Sequence, residues 1–140
     1  MDKVKKGDIS KVFVTANLLS KGFTVLEPIS ENSRYDLVIE YKNKFKRIQV
    51  KTIYFRKKQN CFEMACYSTT RRKKKHVKTS YTKKDVDFII GYNQEKKELY
   101  VFPIDKLKTQ QVRFRKNARK NQYNPLKVGD YLNSFKLLRQ

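Results

Sequence analysis

Residues 35 to 54 constrain the fold more than any other stretch of the chain. Tyr35 to Tyr41 is rich in β-formers, Phe45 to Tyr54 alternates apolar with polar residues, and Lys42-Asn43-Lys44 joins them as a short polar connection. That combination predicts an antiparallel hairpin. On its second strand a period of two sends Ile48 and Val50 to one face and Gln49 and Lys51 to the other. The apolar pair needs a partner layer, and the preceding residues supply one. Ile9, Val12, Phe13, Ala16 and Leu19 fall at helical spacing, with Asp8 as the expected N-cap and Gly22 as the stop. Ile48 and Val50 are therefore expected to lie beneath that helix.

The rest of the chain reads as short strands around this unit. Phe23-Thr24-Val25-Leu26 is a strand ended by Pro28, and Ser30 to Arg34 is a polar loop. Further strands are expected over Cys61 to Tyr67, Val86 to Tyr92 and Leu99 to Phe102, with a turn at Asn93 to Lys97. Arg71 to Lys75 reads as a flexible basic loop, and Pro103 to Leu107 as the start of a short helix. The pattern weakens after Val112-Arg113-Phe114, and Asp130 to Leu138 is expected to be helical. No repeat or Gly/Ser linker divides the chain, so residues 1–140 are read as one α/β domain, with 108–140 as an extension for DNA contact or oligomerisation.

Charge narrows the partners. Lys and Arg total 34 against 13 Asp and Glu, a formal +21, while 39% hydrophobic residues are enough for a core. A folded domain with that self-repulsion implies a polyanion, because bound Lys and Arg displace counterions condensed on phosphates. No apolar run approaches a membrane span, and the first residues lack the apolar centre of a signal peptide. A soluble, cytoplasmic, DNA-associated protein is expected. Cys61 and Cys66 suit no common zinc spacing and are read as reduced structural thiols. His76 is the only histidine, so any hydrolytic chemistry must rest on carboxylates and lysine.

The hairpin offers such a set. Asp36 sits at the start of one strand, and Gln49 and Lys51 share a face of the next. Pairing the strands collects a carboxylate, an amide oxygen and an ammonium. Oxygen donors of this kind suit Mg²⁺ or another divalent cation, with Asp36 and Gln49 as the candidate ligands. A lysine beside them can orient or deprotonate a water, or neutralise developing charge. The alternative is that Gln49 and Lys51 are solvent-facing strand residues and Asp36 a loop-end cap.

The stretch Ser33-Arg34-Tyr35-Asp36-Leu37-Val38, followed by Arg47-Ile48-Gln49-Val50-Lys51-Thr52, resembles the PD-(D/E)xK nucleases in their small glutamine-containing branch, the one with bacterial group I intron homing endonucleases. Tyr81, Asp85-Val86-Asp87-Phe88 and Tyr100-Val101-Phe102-Pro103-Ile104 resemble the same branch, so the likeness spans about residues 4–107. It implies a restriction-endonuclease-like core with a mixed β-sheet flanked by helices. It also implies Asp36 as central metal ligand, Gln49 in the place of a second acid and Lys51 as catalytic lysine. The resemblance implies that many relatives carry a helix glutamate in a pattern like Gly-Asp-Ile-Gly-Glu. Here Gly7-Asp8-Ile9-Ser10-Lys11 puts Lys11 in that place. Either Lys11 inactivates the site, or the helix register differs and Lys11 is simply exposed. Glu27, Glu40 and Glu63 are other acids available to assist the metal, with Glu63 the preferred one.

Two basic clusters are candidate DNA contacts: Arg71, Arg72, Lys73, Lys74, Lys75 and Lys78, then Arg113, Arg115, Lys116, Arg119 and Lys120, with Gln110 and Gln111 suited to base edges. Cutting both strands of double-stranded DNA calls for a homodimer or a dimer of dimers. The implied activity is a site-specific homing endonuclease serving intron mobility. A Holliday-junction resolvase and a non-catalytic DNA-binding protein on a decayed nuclease fold are the alternatives.

Overall fold

In the computed structural model, which describes residues 1–115 and 126–140, helix α1 (Lys3–Ser20) precedes β1 (Thr24–Leu26), β2 (Leu37–Tyr41), β3 (Lys44–Arg56), β4 (Cys61–Ala65), β5 (Tyr67–Arg72), β6 (Lys75–Ser80), β7 (Phe88–Asn93), β8 (Glu98–Pro103) and β9 (Gln111–Arg115). Short 3-10 helices cover Ile104–Lys106, Val128–Tyr131 and Phe135–Arg139. The predicted hairpin is present. β2 and β3 pair antiparallel from Leu37–Ile48 to Tyr41–Lys44, and Lys42 and Asn43 form the turn with φ of 50° and 63°. Positive φ at both central residues matches the strand twist in a two-residue hairpin.

The 13-residue β3 carries the sheet. β1 and β2 lie to one side of it, β7 pairs parallel along its other side with β8 beyond, and β4 and β9 extend its far end. The result is a mixed seven-stranded sheet, and β5 and β6 form a separate two-stranded ribbon. β7 reads as an unbroken apolar run because both its faces are covered. Asp87 fixes the parallel join. Its carboxylate accepts from the Arg47 backbone N–H at 2.8 Å, and its own N–H donates to the Arg47 carbonyl at 2.9 Å.

Two cores flank the sheet. On one face Val14 and Leu18 of α1 cover Leu37, Ile39, Ile48, Val50 and Ile90, joined by Phe135 and Leu138. On the other, Ile53, Met64, Tyr81, Val86, Ile89, Phe102, Phe114 and Val128 pack together. Ile48 and Val50 thus lie beneath the helix as expected. The residues after 107 are part of both cores and of the sheet, through Phe114, Val128, Phe135 and Leu138.

Several expectations need correction. The helix is capped by Asp2, whose side chain accepts from the Lys5 N–H at 2.8 Å, not by Asp8. Its buried face is Ser10, Val14 and Leu18, while Val12 and Leu19 are 67% and 56% exposed and Phe13 45%. A polar residue replaces an apolar one on the inner stripe because Ser10 is satisfied there. Its hydroxyl meets Thr52 Oγ1 at 2.7 Å and accepts from Gln94 Nε2 at 3.1 Å. The basic "loop" Arg71–Lys75 is instead the end of a ribbon, with Lys73 and Lys74 as its two-residue turn at φ of 48° and 63°. The segment 130–138 forms 3-10 turns rather than an α-helix, and among the described residues α1 is the only α-helix, lying on one face of the sheet. No helix of the described residues is long and apolar enough to cross a membrane.

Candidate active site

The hairpin's two strands differ in length, and the site lies where they part. Pairing with β2 ends at Ile48, yet β3 runs on to Arg56. Asp36 stands one step beyond the last pair, opposite Gln49. Its backbone N–H donates to the Ile48 carbonyl at 2.9 Å, and its Oδ2 accepts from the Val50 N–H at 3.0 Å. The carboxylate thus takes the place of a strand carbonyl on an edge β2 has vacated. Gln49 and Lys51 point to the face opposite Ile48 and Val50, both half-buried.

Lys51 is enclosed. Its ammonium donates to the Tyr67 carbonyl at 2.9 Å and lies 5.1 Å from the Tyr81 ring centre. Gly91 is its register partner on β7. A Cβ at Gly91 would meet Met64 Sδ at 2.6 Å and Ile53 Cδ1 at 2.9 Å, so glycine allows this close packing beside the lysine. Burial pushes the Lys51 ammonium below the ordinary lysine range, and Arg34 adds to this while Asp36 opposes it. Burial likewise raises the Asp36 carboxyl, against the Val50 hydrogen bond and the charges of Lys11 and Lys51. The two groups are pushed toward each other, a pattern that marks functional sites. Burial also raises the neighbouring Cys66 thiol to about 11, which keeps it protonated.

Lys11 belongs to this corner. With Ser10 pinned to Thr52 of β3, the next residue on α1 is held over this part of the sheet. Its ammonium lies 3.7 Å from Glu27 Oε1, and both groups act electrostatically on Asp36. Lys11 is thus paired with Glu27 and only partly exposed. Glu63 is elsewhere. It is held on β4 by Arg113 at 2.7 Å and Arg56 at 3.2 Å, so the acid near Asp36 is Glu27, not Glu63. Glu40 accepts from the Asn43 N–H in the hairpin turn.

These donors do not fit a tightly held divalent ion in the chain as it stands. The carboxylates of Asp36 and Glu27 and the amide of Gln49 face the ammoniums of Lys11 and Lys51, and no group of three His, Cys, Asp or Glu side chains able to hold a metal occurs among the described residues. Lys11 and Lys51 place two positive charges around the Asp36 carboxylate.

Of the basic candidates, Arg71, Arg72, Lys73, Lys74, Lys75 and Lys78 all lie exposed on the β5–β6 ribbon. Arg113 is engaged with Glu63 and Gln111. Arg115 is exposed at the end of β9. Lys116, Arg119 and Lys120 lie outside the described residues. Sequence reasoning passed over Arg34, which packs on Tyr81 at 4.3 Å and reaches the ribbon, and its place two residues before Asp36 was the one available signal.

A mixed sheet with an acid at the strand parting, and Gln-x-Lys on the adjacent strand, defines a nuclease-type scaffold. The sequence matches the PD-(D/E)XK endonuclease family over residues 1–137, and the chain belongs to that family. Members of this family generally use divalent metals. Among solved structures the chain is similar to a bacterial homing endonuclease, I-Ssp6803I, at a TM-score of 0.87 and 26% identity, covering 100% of this chain and 95% of that one. None of the curated proteins matches it.

Proposed function

We propose that this chain is an endonuclease for double-stranded DNA, of the site-specific homing kind that serves intron mobility, held in an impaired state by Lys11. The observation that carries the reading is the corner itself: Asp36 seated on the Val50 N–H opposite Gln49, beside a lysine whose ammonium is disfavoured by burial. Asp36 and Gln49 are the oxygen ligands for Mg²⁺ or another divalent cation once the charge at position 11 is removed, and Lys51 is the catalytic lysine. The likeness to a homing endonuclease over the full chain supports the specific activity, and it suggests a bacterial cytoplasm as the setting.

The ribbon supports the choice of duplex. A two-stranded β-ribbon fits the major groove, and this one presents six cations at Arg71 to Lys75 and Lys78. One such corner cuts one strand, so the active assembly is a homodimer or a dimer of dimers with a two-fold related target. Lys11 also favours a second reading, a DNA-binding protein on a decayed nuclease scaffold. The two separate in one experiment. A randomised DNA library is incubated with the parent chain, Lys11→Glu, and Lys11→Glu with Asp36→Asn, with and without Mg²⁺. Mg²⁺-dependent cuts from Lys11→Glu that vanish with Asp36→Asn support the nuclease. Binding without cuts by any of the three supports the decayed scaffold.

A further inference from the structure

The ribbon is tied to the active site at both of its strands. Tyr67 and Ser80 are the register pair at its root. Lys51 donates to the Tyr67 carbonyl on β5 at 2.9 Å. Arg34 holds the other strand, donating to the Ser80 carbonyl at 3.0 Å and the Thr79 carbonyl at 3.4 Å. The same guanidinium reaches back to Ser68 Oγ on β5 and to Asp85 Oδ2 at 3.3 Å. Tyr81 lies against both cations, 4.3 Å from Arg34 and 5.1 Å from Lys51.

We infer that Arg34 is a positioning residue, setting the angle of the β5–β6 ribbon against the Asp36–Lys51 corner and thereby the ribbon's sequence discrimination on duplex DNA. The inference rests on the reading of the ribbon as a DNA-contacting element. Beyond its root the ribbon is exposed on both faces from Thr69 to Ser80, and its strands pair only with each other. Its direction is therefore decided at the root. Six residues of strand span about 20 Å, so a tilt of roughly 10° at the root displaces the tip by about 3–4 Å. That is about the rise of one base step. An unclamped ribbon still presents its cations to phosphates, which carry most of the non-specific affinity, but it cannot hold base-edge contacts in one register with the cutting site. A planar guanidinium suits this work because its donors fan out in a fixed plane toward several acceptors at once, which a lysine cannot reproduce.

The test uses the full chain with Arg34→Gln and Arg34→Lys, each first confirmed as folded by circular dichroism melting. Amide hydrogen exchange is followed in the free protein. Binding is then measured to an unselected pool of randomised 30-base-pair duplexes, and bound sequences are enriched from that pool at fixed salt. Exchange in residues 67–80 is expected to quicken roughly tenfold in Arg34→Gln, with α1 and β7 unchanged. Affinity for the unselected pool stays within about twofold, while discrimination in favour of the parent's enriched sequence falls roughly tenfold or more. If Arg34→Gln does not fold, Arg34→Lys carries the test with the same direction of change. Unchanged ribbon exchange, or an enriched sequence selected as strongly by the variant as by the parent, would overturn the inference. A parent that fails to bind the duplex pool instead removes the DNA-contacting reading of the ribbon, an outcome distinct from a clamp that proves irrelevant.

Discussion

On the proposed reading, replacing Lys11 by glutamate should create a divalent-ion site at the Asp36 corner. Lys11, Lys51, Glu27 and Asp36 leave the corner neutral, with two ammoniums against two carboxylates. Lys11→Glu takes it to minus two. Unit charges about 4 Å apart interact by about 1 kcal/mol under water-like screening, a suitable level because the Lys11 side chain is 34% exposed. The exchange turns a repulsion into an attraction, and each acts on a doubly charged ion, so four such contributions change. Allowing for longer separations, the gain is about 2–4 kcal/mol. That corresponds to roughly 30- to 1,000-fold in affinity. Mn²⁺ titration of the full chain, followed calorimetrically or by paramagnetic resonance, reads this without any need for cleavage. Lys11→Met, which removes the charge without reversing it, should give about half the free-energy gain. Adding Asp36→Asn to Lys11→Glu should remove most of it. Equal Mn²⁺ affinity for the parent and Lys11→Glu would refute the electrostatic account of the corner.

Three further outcomes follow from the same geometry. Asp36 has its carboxyl raised on folding, so the folded chain holds that proton more tightly than the unfolded one. This favours folding in acid and is lost as pH rises through the raised value, so Asp36→Asn should melt higher than the parent at pH 7, with the difference vanishing in acid. A lower melting point at pH 7 would contradict it. Leu18→Ala should cost about 2–5 kcal/mol by urea unfolding and Leu19→Ala within about 0.5, because Leu18 is fully buried and Leu19 exposed. The reverse order would restore the helix face that periodicity suggested. Replacing Lys73, Lys74 and Lys75 together by alanine should weaken duplex binding and lower the slope of log affinity against log salt by up to about 3. An unchanged slope would take the ribbon tip off the DNA.

Much of the fold was open to reading because it rests on local alternation. The β2–β3 hairpin, β7 and β8 all lie where β-branched and aromatic runs end at polar turns, and the shared face of Gln49 and Lys51 follows from period two alone. The helix face did not, because a hydrophobic stripe records where apolar residues lie and not which side meets the sheet. Ser10 sits in the core through hydrogen bonds to residues 42 and 84 positions away, which no periodicity contains. The ribbon was hidden for a different reason. Lys73 and Lys74 occupy a turn that usually announces itself with Asn or Gly, so a paired turn looked like a run of solvated charge. Arg34 was missed because its partners lie 34 to 51 residues further along the chain.

The electrostatics of the corner give Lys11 a second effect that a vacant cation site would lack. Burial works against the ionised form of Asp36, and Lys11 is among the groups that favour it. An ammonium tethered to α1 thus does part of what a bound cation would do: it favours the charged carboxylate in a partly dry place. It does so without offering an open coordination site to a water or a phosphate. Lys11→Glu removes that support and adds a like charge, so in the absence of metal the variant should be less stable than the parent at neutral pH. Divalent ion should then raise its melting temperature by mass action, with little effect on the parent. On the proposed reading, stability and ion binding become linked through one residue, because the charge that favours ionised Asp36 is also the charge that opposes a cation beside it.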